Sequence, residues 1–107
     1  AATDAMKRAQ EQLPGSYPLL VNPDPTTDGL TTPTNLIAFD MVLISNTKLS
    51  DDAAYRTVKV IFENKADLAA TFPPLGIFNP QNMSKAALGV PFHPGALRFY
   101  KEAGILK

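Results

Sequence analysis

The sequence contains no cysteine, no tryptophan and only one histidine, His93. Without cysteine the chain forms no disulfide and offers no thiolate to a metal ion. A single histidine, with no second histidine and no tight carboxylate cluster in the sequence, leaves too few ligands for a metal site built on imidazole. We therefore expect no metal site, and no motif indicates another cofactor.

An excess of charge of one sign is also lacking, since ten basic residues balance ten acidic ones. No excess field then attracts nucleic acid or an anionic membrane surface, and we expect no nucleic-acid partner. The sequence has no run of about 18 apolar residues, as a membrane-spanning helix requires. Its first four residues, AATD, do not resemble the start of a signal peptide, and a processed or truncated chain has the same appearance.

The composition is that of a folded chain. Apolar residues make up 45% of the 107 residues and charged residues 19%, which is typical of a globular protein. The length suits one domain, or a piece of one, and leaves no room for two independent cores.

Apolar residues at helical spacing predict about four helices of full length. The pattern predicts helices over about 4–12, 51–63, 80–88 and from His93-Pro94 to Gly104, with a shorter one over 64–70. Ser50 has the features of an N-cap for the second of these. The stripe expected to face inward there consists of Ala54, Val58, Ile61 and Phe62, and in the last helix of Ala96, Phe99, Tyr100 and Ala103.

Two segments have the composition of strands. Residues 17–22 are a short apolar run in which Pro18 favours an edge position, and residues 36–45 are a nearly continuous apolar run, typical of a strand covered on both faces. Between them, residues 22–33 (NPDPTTDGLTTP) predict a loop. The chain is therefore predicted to be α/β, with a sheet that lacks strands. Either a helical domain with a two-stranded insert is stable alone, or the chain is a fragment or borrows strands from another copy.

One segment points to a known family. Residues 89–105, GVPFHPGALRFYKEAGI, resemble the C-terminal signature of the TAXI-type solute-binding receptors of tripartite ATP-independent periplasmic (TRAP) transporters. Further segments resemble the same family in the same order: Ala38-Phe39-Asp40, residues 43–45 (LIS), 49–52 (LSDD), 62–68 (FENKADL) and 72–74 (FPP). The resemblance covers residues 33–107.

The resemblance implies a fold and a function. The chain would be the C-terminal portion of a two-lobed periplasmic-binding-protein-like (type II) fold, with about four helices and two or three strands. Residues 1–35 would belong to the second lobe and a linker, and residues 36–107 to a returning strand and helices that pack on the first lobe. The protein would be a periplasmic receptor, not an enzyme, which binds a small organic acid or amino acid and delivers it to TRAP membrane permease subunits.

The resemblance also implies ligand-binding residues, because it places the junction before the second strand near the ligand cleft. Thr32, Thr34 and Asn35 carry hydroxyl and amide groups that can bond a carboxylate without adding charge. Asp40 interrupts an apolar run, where it either serves the cleft or makes a structural hydrogen bond. Residues 34–37 (TNLI) lack the glycine that many family members have in this segment.

Two other classes of function remain open from the sequence. A hydrolase or isomerase would use His93 with Asp40 or Glu102, although the chain has neither a Gly-x-Ser-x-Gly motif nor a phosphate-binding loop. The alternative role of His93 is to cap the last helix. A non-catalytic module that associates with a second copy through its apolar surface, as a homo-oligomer, is the third class.

Overall fold

The computed structural model describes residues 2–86 and 89–106. Within these residues the chain has four α-helices, two strands and two short 3-10 helices, which confirms the mixed α/β prediction. The elements are α1 (Ala2–Gln12), β1 (Tyr17–Val21), β2 (Thr34–Ala38), α2 (Asp51–Glu63), α3 (Lys65–Thr71), the 3-10 helices Pro73–Ile77 and Pro80–Asn82, and α4 (Pro94–Glu102). Two compact units result, one ending at Val42 and the other beginning at Leu43.

The N-terminal unit is built on an antiparallel pair of strands. β1 pairs with β2 so that Tyr17 lies opposite Ala38, and Val21 opposite Thr34. α1 contacts β1. Residues 22–33 form neither helix nor strand, which confirms the predicted loop. Asp24 shapes that loop by accepting hydrogen bonds from the backbone N–H and the hydroxyl of Thr26, and these bonds lower the pKa of its carboxyl group.

The prediction of a long, covered strand over residues 36–45 is wrong. The strand ends at Ala38, and residues 39–46 form neither helix nor strand. Leu36 and Ile37 point to opposite faces of the sheet, yet their exposed fractions are 46% and 51%. A sheet of two strands covers neither of its own faces, so an apolar sequence alone does not bury it. Residues 36–42 group with the N-terminal unit because β2 pairs with β1.

In the C-terminal unit, α2 begins where the sequence predicts. The hydroxyl of Ser50 accepts a hydrogen bond from the backbone N–H of Ala53 at 3.1 Å, which satisfies one of the free donors of the first turn. Asp51 and Asp52 add negative charge at the positive end of the helix dipole. Ala54 is buried, and the rest of the predicted stripe is partly buried.

The segment after α2 differs from its prediction in part. α3 ends at Thr71, as expected from Pro73, which disfavours helical geometry in the residue before it. The predicted helix over 80–88 is wrong for residues 80–86, where a 3-10 helix ends at Asn82 and no α-helix follows. Residues 87 and 88 lie outside the described residues. Pro80 suits the start of a helical turn, and the side-chain oxygen of Asn79 accepts a hydrogen bond from the backbone N–H of Gln81, but this turn ends at Asn82.

α4 is held at both ends. Its last turn closes through Gly104, whose φ of 71° is the left-handed conformation that glycine adopts without strain. The backbone N–H of Ile105 donates to the carbonyl of Tyr100, and that of Gly104 to the carbonyl of Lys101, which is the Schellman arrangement. The hydroxyl of Ser84 donates to the carbonyl of Ile105. These bonds fasten the segment before α4 to the end of that helix.

The core lies where α4 packs on α2. Phe99 is 4% exposed and meets the rings of Tyr55 and Phe62 edge to face, with centroids 5.7 Å and 5.3 Å apart. Phe92 meets Tyr100 in the same way at 5.4 Å. Such pairs contribute about 0.5–1.5 kcal/mol beyond their buried area. The inward face predicted for α4 is confirmed, since Ala96, Phe99 and Tyr100 are buried and Ala103 packs against them.

Gly95 allows the first turns of α4 and α2 to meet. A Cβ atom at Gly95 would lie 2.0 Å from the carbonyl oxygen of Asp51 and 3.0 Å from the Cβ of Ala54. No side chain fits that space, so the helices would have to move apart. The backbone of Gly95 is not in a left-handed conformation, and the requirement is therefore for space alone.

We expect Gly95→Ala to lower the free energy of unfolding by about 2 kcal/mol, because so close an approach puts the cost near the upper end of the range of about 1–3 kcal/mol that is typical of overpacking. Helix propensity acts in the opposite direction, since alanine is favoured over glycine inside a helix by up to about 1 kcal/mol. Urea unfolding followed by circular dichroism measures the change.

The matched control is Gly76→Ala, since a Cβ at Gly76 meets nothing within 4 Å. We expect that variant to stay within about 0.5 kcal/mol of the parent, as surface substitutions usually do. Equal stability of the two variants would contradict the close approach.

A second prediction concerns the buried tyrosine of the core. Burial raises the pKa of Tyr100 above its ordinary value of 10.0, because the tyrosinate is poorly solvated there. The folded state thus holds the phenolic proton more tightly than the unfolded chain. This contribution to stability is complete below about pH 10 and is lost as the pH rises through the folded pKa.

We therefore expect Tyr100→Phe, which keeps the ring, to reduce the alkaline loss of stability. Urea midpoints measured from about pH 8 to about pH 11 span the tyrosine range. The parent midpoint should fall more steeply than that of the variant, and parallel curves would show that Tyr100 does not carry the effect.

Candidate functional site

The predicted ligand-binding residues lie on or beside β2. Thr34 is paired with Val21 and Asn35 with Leu20. Because successive residues of a strand point to opposite faces, Thr34 shares a face with Leu36, and Asn35 lies on the other face. A ligand reaches both side chains only where the strand begins, at the rim of the hairpin.

Thr32 lies just before this rim. The hydroxyl of Thr34 donates to its carbonyl oxygen at 2.8 Å. That bond fixes the backbone entering β2 and leaves the oxygen of the Thr34 hydroxyl free to accept. Thr32, Thr34 and Asn35 are thus brought together in a short polar segment at one end of the hairpin.

Asp40 lies beyond the other end of β2. One of its carboxylate oxygens accepts a hydrogen bond from the hydroxyl of Tyr17 at 2.9 Å. Since Tyr17 pairs with Ala38, the bond ties the segment after β2 back to the start of β1. From Thr34 to Ala38 is roughly 13 Å along the strand. The hairpin therefore does not bring Asp40 next to the three other residues.

His93 caps α4. Its Nδ1 accepts a hydrogen bond from the backbone N–H of Gly95 at 3.1 Å, and its Nε2 lies 2.9 Å from the carbonyl oxygen of Leu49. The capping role proposed from the sequence is confirmed. Both ring nitrogens contact backbone groups, so the imidazole links the start of α4 to the segment before α2.

The pairing of His93 with Glu102, on which one enzymatic hypothesis depends, does not form. The two residues flank opposite ends of α4, roughly 13 Å apart along its axis. The carboxylate of Glu102 instead accepts a hydrogen bond from the hydroxyl of Tyr55 at 2.8 Å. This hydrogen bond is the main reason that the pKa of Tyr55 is raised, and burial adds to it. Asp40 belongs to the other unit.

Charged side chains join the outer surfaces of α2 and α4. Arg98 lies 4.4 Å above the ring of Tyr55 and 3.6 Å from the carboxylate of Asp52. Asp52 also pairs with Arg56 at 3.0 Å, one helical turn further along α2. These groups are largely exposed, so each pair contributes little to stability. They form an ordinary mixed-charge surface, as the spacing of the residues in the sequence indicates.

The C-terminal unit also contains an open cavity of about 510 Å³ that the sequence did not reveal. Phe92, before α4, and Leu106, after it, line the cavity together with Gln81, Asn82, Ser84, Lys85 and Ala86. The bond from Ser84 to Ile105 and the packing of Phe92 on Tyr100 hold residues distant in sequence next to one another. No pattern in the sequence could have indicated the cavity.

Two kinds of feature are missing from the part of the chain that the structure describes. Residues 2–86 and 89–106 contain no group of three or more histidine, cysteine or acidic side chains placed to hold a metal ion. In the same residues, no helix has the length and the apolar character needed to cross a membrane.

Comparison with known proteins places these features in a family. The model of the NMT1-like family matches residues 2–104, almost the whole chain. No solved structure matches it. The match includes both the hairpin and the pair of helices α2 and α4. The chain therefore belongs to the NMT1-like family, a periplasmic solute-binding family related to the type II fold.

Proposed function

We propose that this chain serves in the solute-binding component of a TRAP transporter, of the TAXI type, which takes up a small organic acid or amino acid outside the cytoplasm and delivers it to the membrane permease subunits. The family match over residues 2–104 carries the general role, because NMT1-like proteins are extracytoplasmic binding proteins. The resemblance of residues 33–107 supports the narrower assignment to TRAP receptors.

The chemistry of the hairpin rim supports a carboxylate ligand. Threonine hydroxyls and an asparagine amide donate hydrogen bonds and carry no charge, so they bind an anion without requiring a counter-ion of their own. In our proposal Thr32, Thr34 and Asn35 contact the carboxylate at the start of β2. A binding site usually combines a few such polar groups with apolar walls, and Leu20 and Leu36 supply apolar surface beside them.

We assign Asp40 a different part in the same site. Its bond to Tyr17 orders the segment that follows β2, and the residue itself is exposed. In our proposal it holds the ammonium group of an amino acid, or a positively charged group that closes the site. Its distance from Thr34 along the hairpin indicates that closure, and not the hairpin alone, would bring the two groups to one ligand.

The proposal predicts that small carboxylates raise the melting temperature of the full-length native chain. A ligand present at about a hundred times its Kd stabilises a protein by about 2.7 kcal/mol, which thermal unfolding detects easily. Calorimetric titration of the best ligand then tests the site. We expect Asn35→Ala to weaken binding at least about tenfold, the effect of losing one hydrogen bond to a charged group.

The matched control is the same asparagine-to-alanine substitution at a position outside the hairpin. Asn82→Ala lies at the cavity of the C-terminal unit and should leave the affinity unchanged. If Asn82→Ala weakened binding and Asn35→Ala did not, the ligand would belong in the cavity, and the hairpin site would be wrong. If no carboxylate or amino acid shifted the melting temperature, the solute-binding proposal would lose its main support.

Self-association is a second candidate function, favoured by the exposed apolar hairpin. Side chains on both faces of the sheet are half exposed, and β2 carries neither proline nor a charged residue in its five positions. Natural edge strands often carry proline or charged residues, which prevent pairing with another chain, and β2 lacks both. A second copy could add its own β2 to this edge in an antiparallel pair.

We expect Ile37→Lys to abolish any such dimer, because a charged side chain within β2 opposes pairing of this strand with a second copy. Light scattering of the parent and the variant over a concentration series measures the mass. Val60→Lys is the control, since Val60 is 57% exposed on α2, close to the 51% of Ile37. A parent chain that remains a monomer at high concentration would exclude this second function.

A further inference from the structure

The two contacts of His93 define its tautomer. Its Nδ1 faces the backbone N–H of Gly95 and must accept from that donor, whereas its Nε2 faces the carbonyl of Leu49 and must donate to it. A neutral imidazole with its proton on Nε2 satisfies both partners. An imidazolium carries a proton on each nitrogen, so it cannot accept the Gly95 N–H.

An acidic partner for the second proton is already in place. A carboxylate oxygen of Asp51 lies 3.8 Å from Nδ1. The neutral ring has no proton on Nδ1 to donate to it, whereas a protonated ring forms an ion pair with it at this distance. Asp51 is the first residue of α2, and its backbone carbonyl is the group that Gly95 approaches. The same few atoms therefore join the starts of both helices.

Other charged groups of α2 and α4 pair with one another. On α2, Asp52 binds Arg56 at 3.0 Å and Arg98 of α4 at 3.6 Å. Asp51 is the charged group of α2 that the structure places within ion-pair distance of the imidazole. The segment before α2 presents the carbonyl of Leu49 to the imidazole. The side chain of His93 is 14% exposed, so a proton can reach it from solvent.

We propose that His93 is a pH-sensitive switch between a helix cap and an inter-helix ion pair. In the neutral state Nδ1 caps the first turn of α4. When Nδ1 gains a proton, it releases the backbone N–H of Gly95 and donates to the carboxylate of Asp51, while Nε2–H keeps its bond to Leu49. Acidification loosens the first turn of α4 and at the same time strengthens the link between α4 and α2.

Nuclear magnetic resonance of the full chain tests the switch at the atoms concerned. Imidazole nitrogen shifts should show the Nε2–H tautomer at neutral pH. Hydrogen exchange should show that the protection factor of the Gly95 amide, corrected for the intrinsic pH dependence of exchange, falls about three- to tenfold from about pH 8 to about pH 5, the range in which imidazoles titrate.

Two variants separate the switch from a general effect of acid. His93→Asn keeps an oxygen that caps Gly95 but does not titrate, so the Gly95 protection factor should stay constant with pH. Asp51→Asn removes the acceptor of the second proton, so the change should move to lower pH. A parent protection factor that does not change with pH, or a change that persists in His93→Asn, would overturn the proposal.

Discussion

The approach of Gly95 to the carbonyl of Asp51 is the constraint on which the C-terminal unit depends. It sets the distance between α4 and α2, and the aromatic contacts of Phe99 with α2 are possible only at that distance. The four residues His93-Pro94-Gly95-Ala96 each meet one need of this crossing. They supply in turn a side-chain cap, a preset first helical position, a residue without a side chain and a small buried one.

The N-terminal unit has no comparable constraint. Its two strands pair in a defined register, yet large apolar side chains on both faces stay half exposed. Hydrogen bonds between the strands hold the backbone, but a two-stranded sheet gains little from burial. This contrast agrees with a solute-binding role, because a surface that must receive a ligand or another lobe cannot already be filled by its own core.

The candidate site was predictable in composition but not in arrangement. Short polar residues at 32–35 and an isolated carboxylate at 40 stand out in the sequence, and the structure confirms the contact of Asp40 as a hydrogen bond from Tyr17. The separation of Asp40 from Thr34 follows from the extended backbone of β2, which puts Thr34 at one end of the strand and Asp40 beyond the other. The cavity beside Phe92 could not be predicted at all, because no local sequence pattern indicates that Gln81, Asn82, Ser84 and Lys85 lie near Leu106, after the end of α4.

Local chemistry by itself determined where α2 and α4 begin and where α4 ends. Ser50 begins α2, Pro94 begins α4 and Gly104 ends it, since capping bonds and backbone preferences act within a few residues. Tertiary structure alone decided which apolar segments are buried. The run over 36–45 is as apolar as any in the chain, yet most of it is exposed, whereas the shorter stripe of α4 forms the core. Burial requires a partner surface, and a sequence pattern shows the need for one without showing whether the fold supplies it.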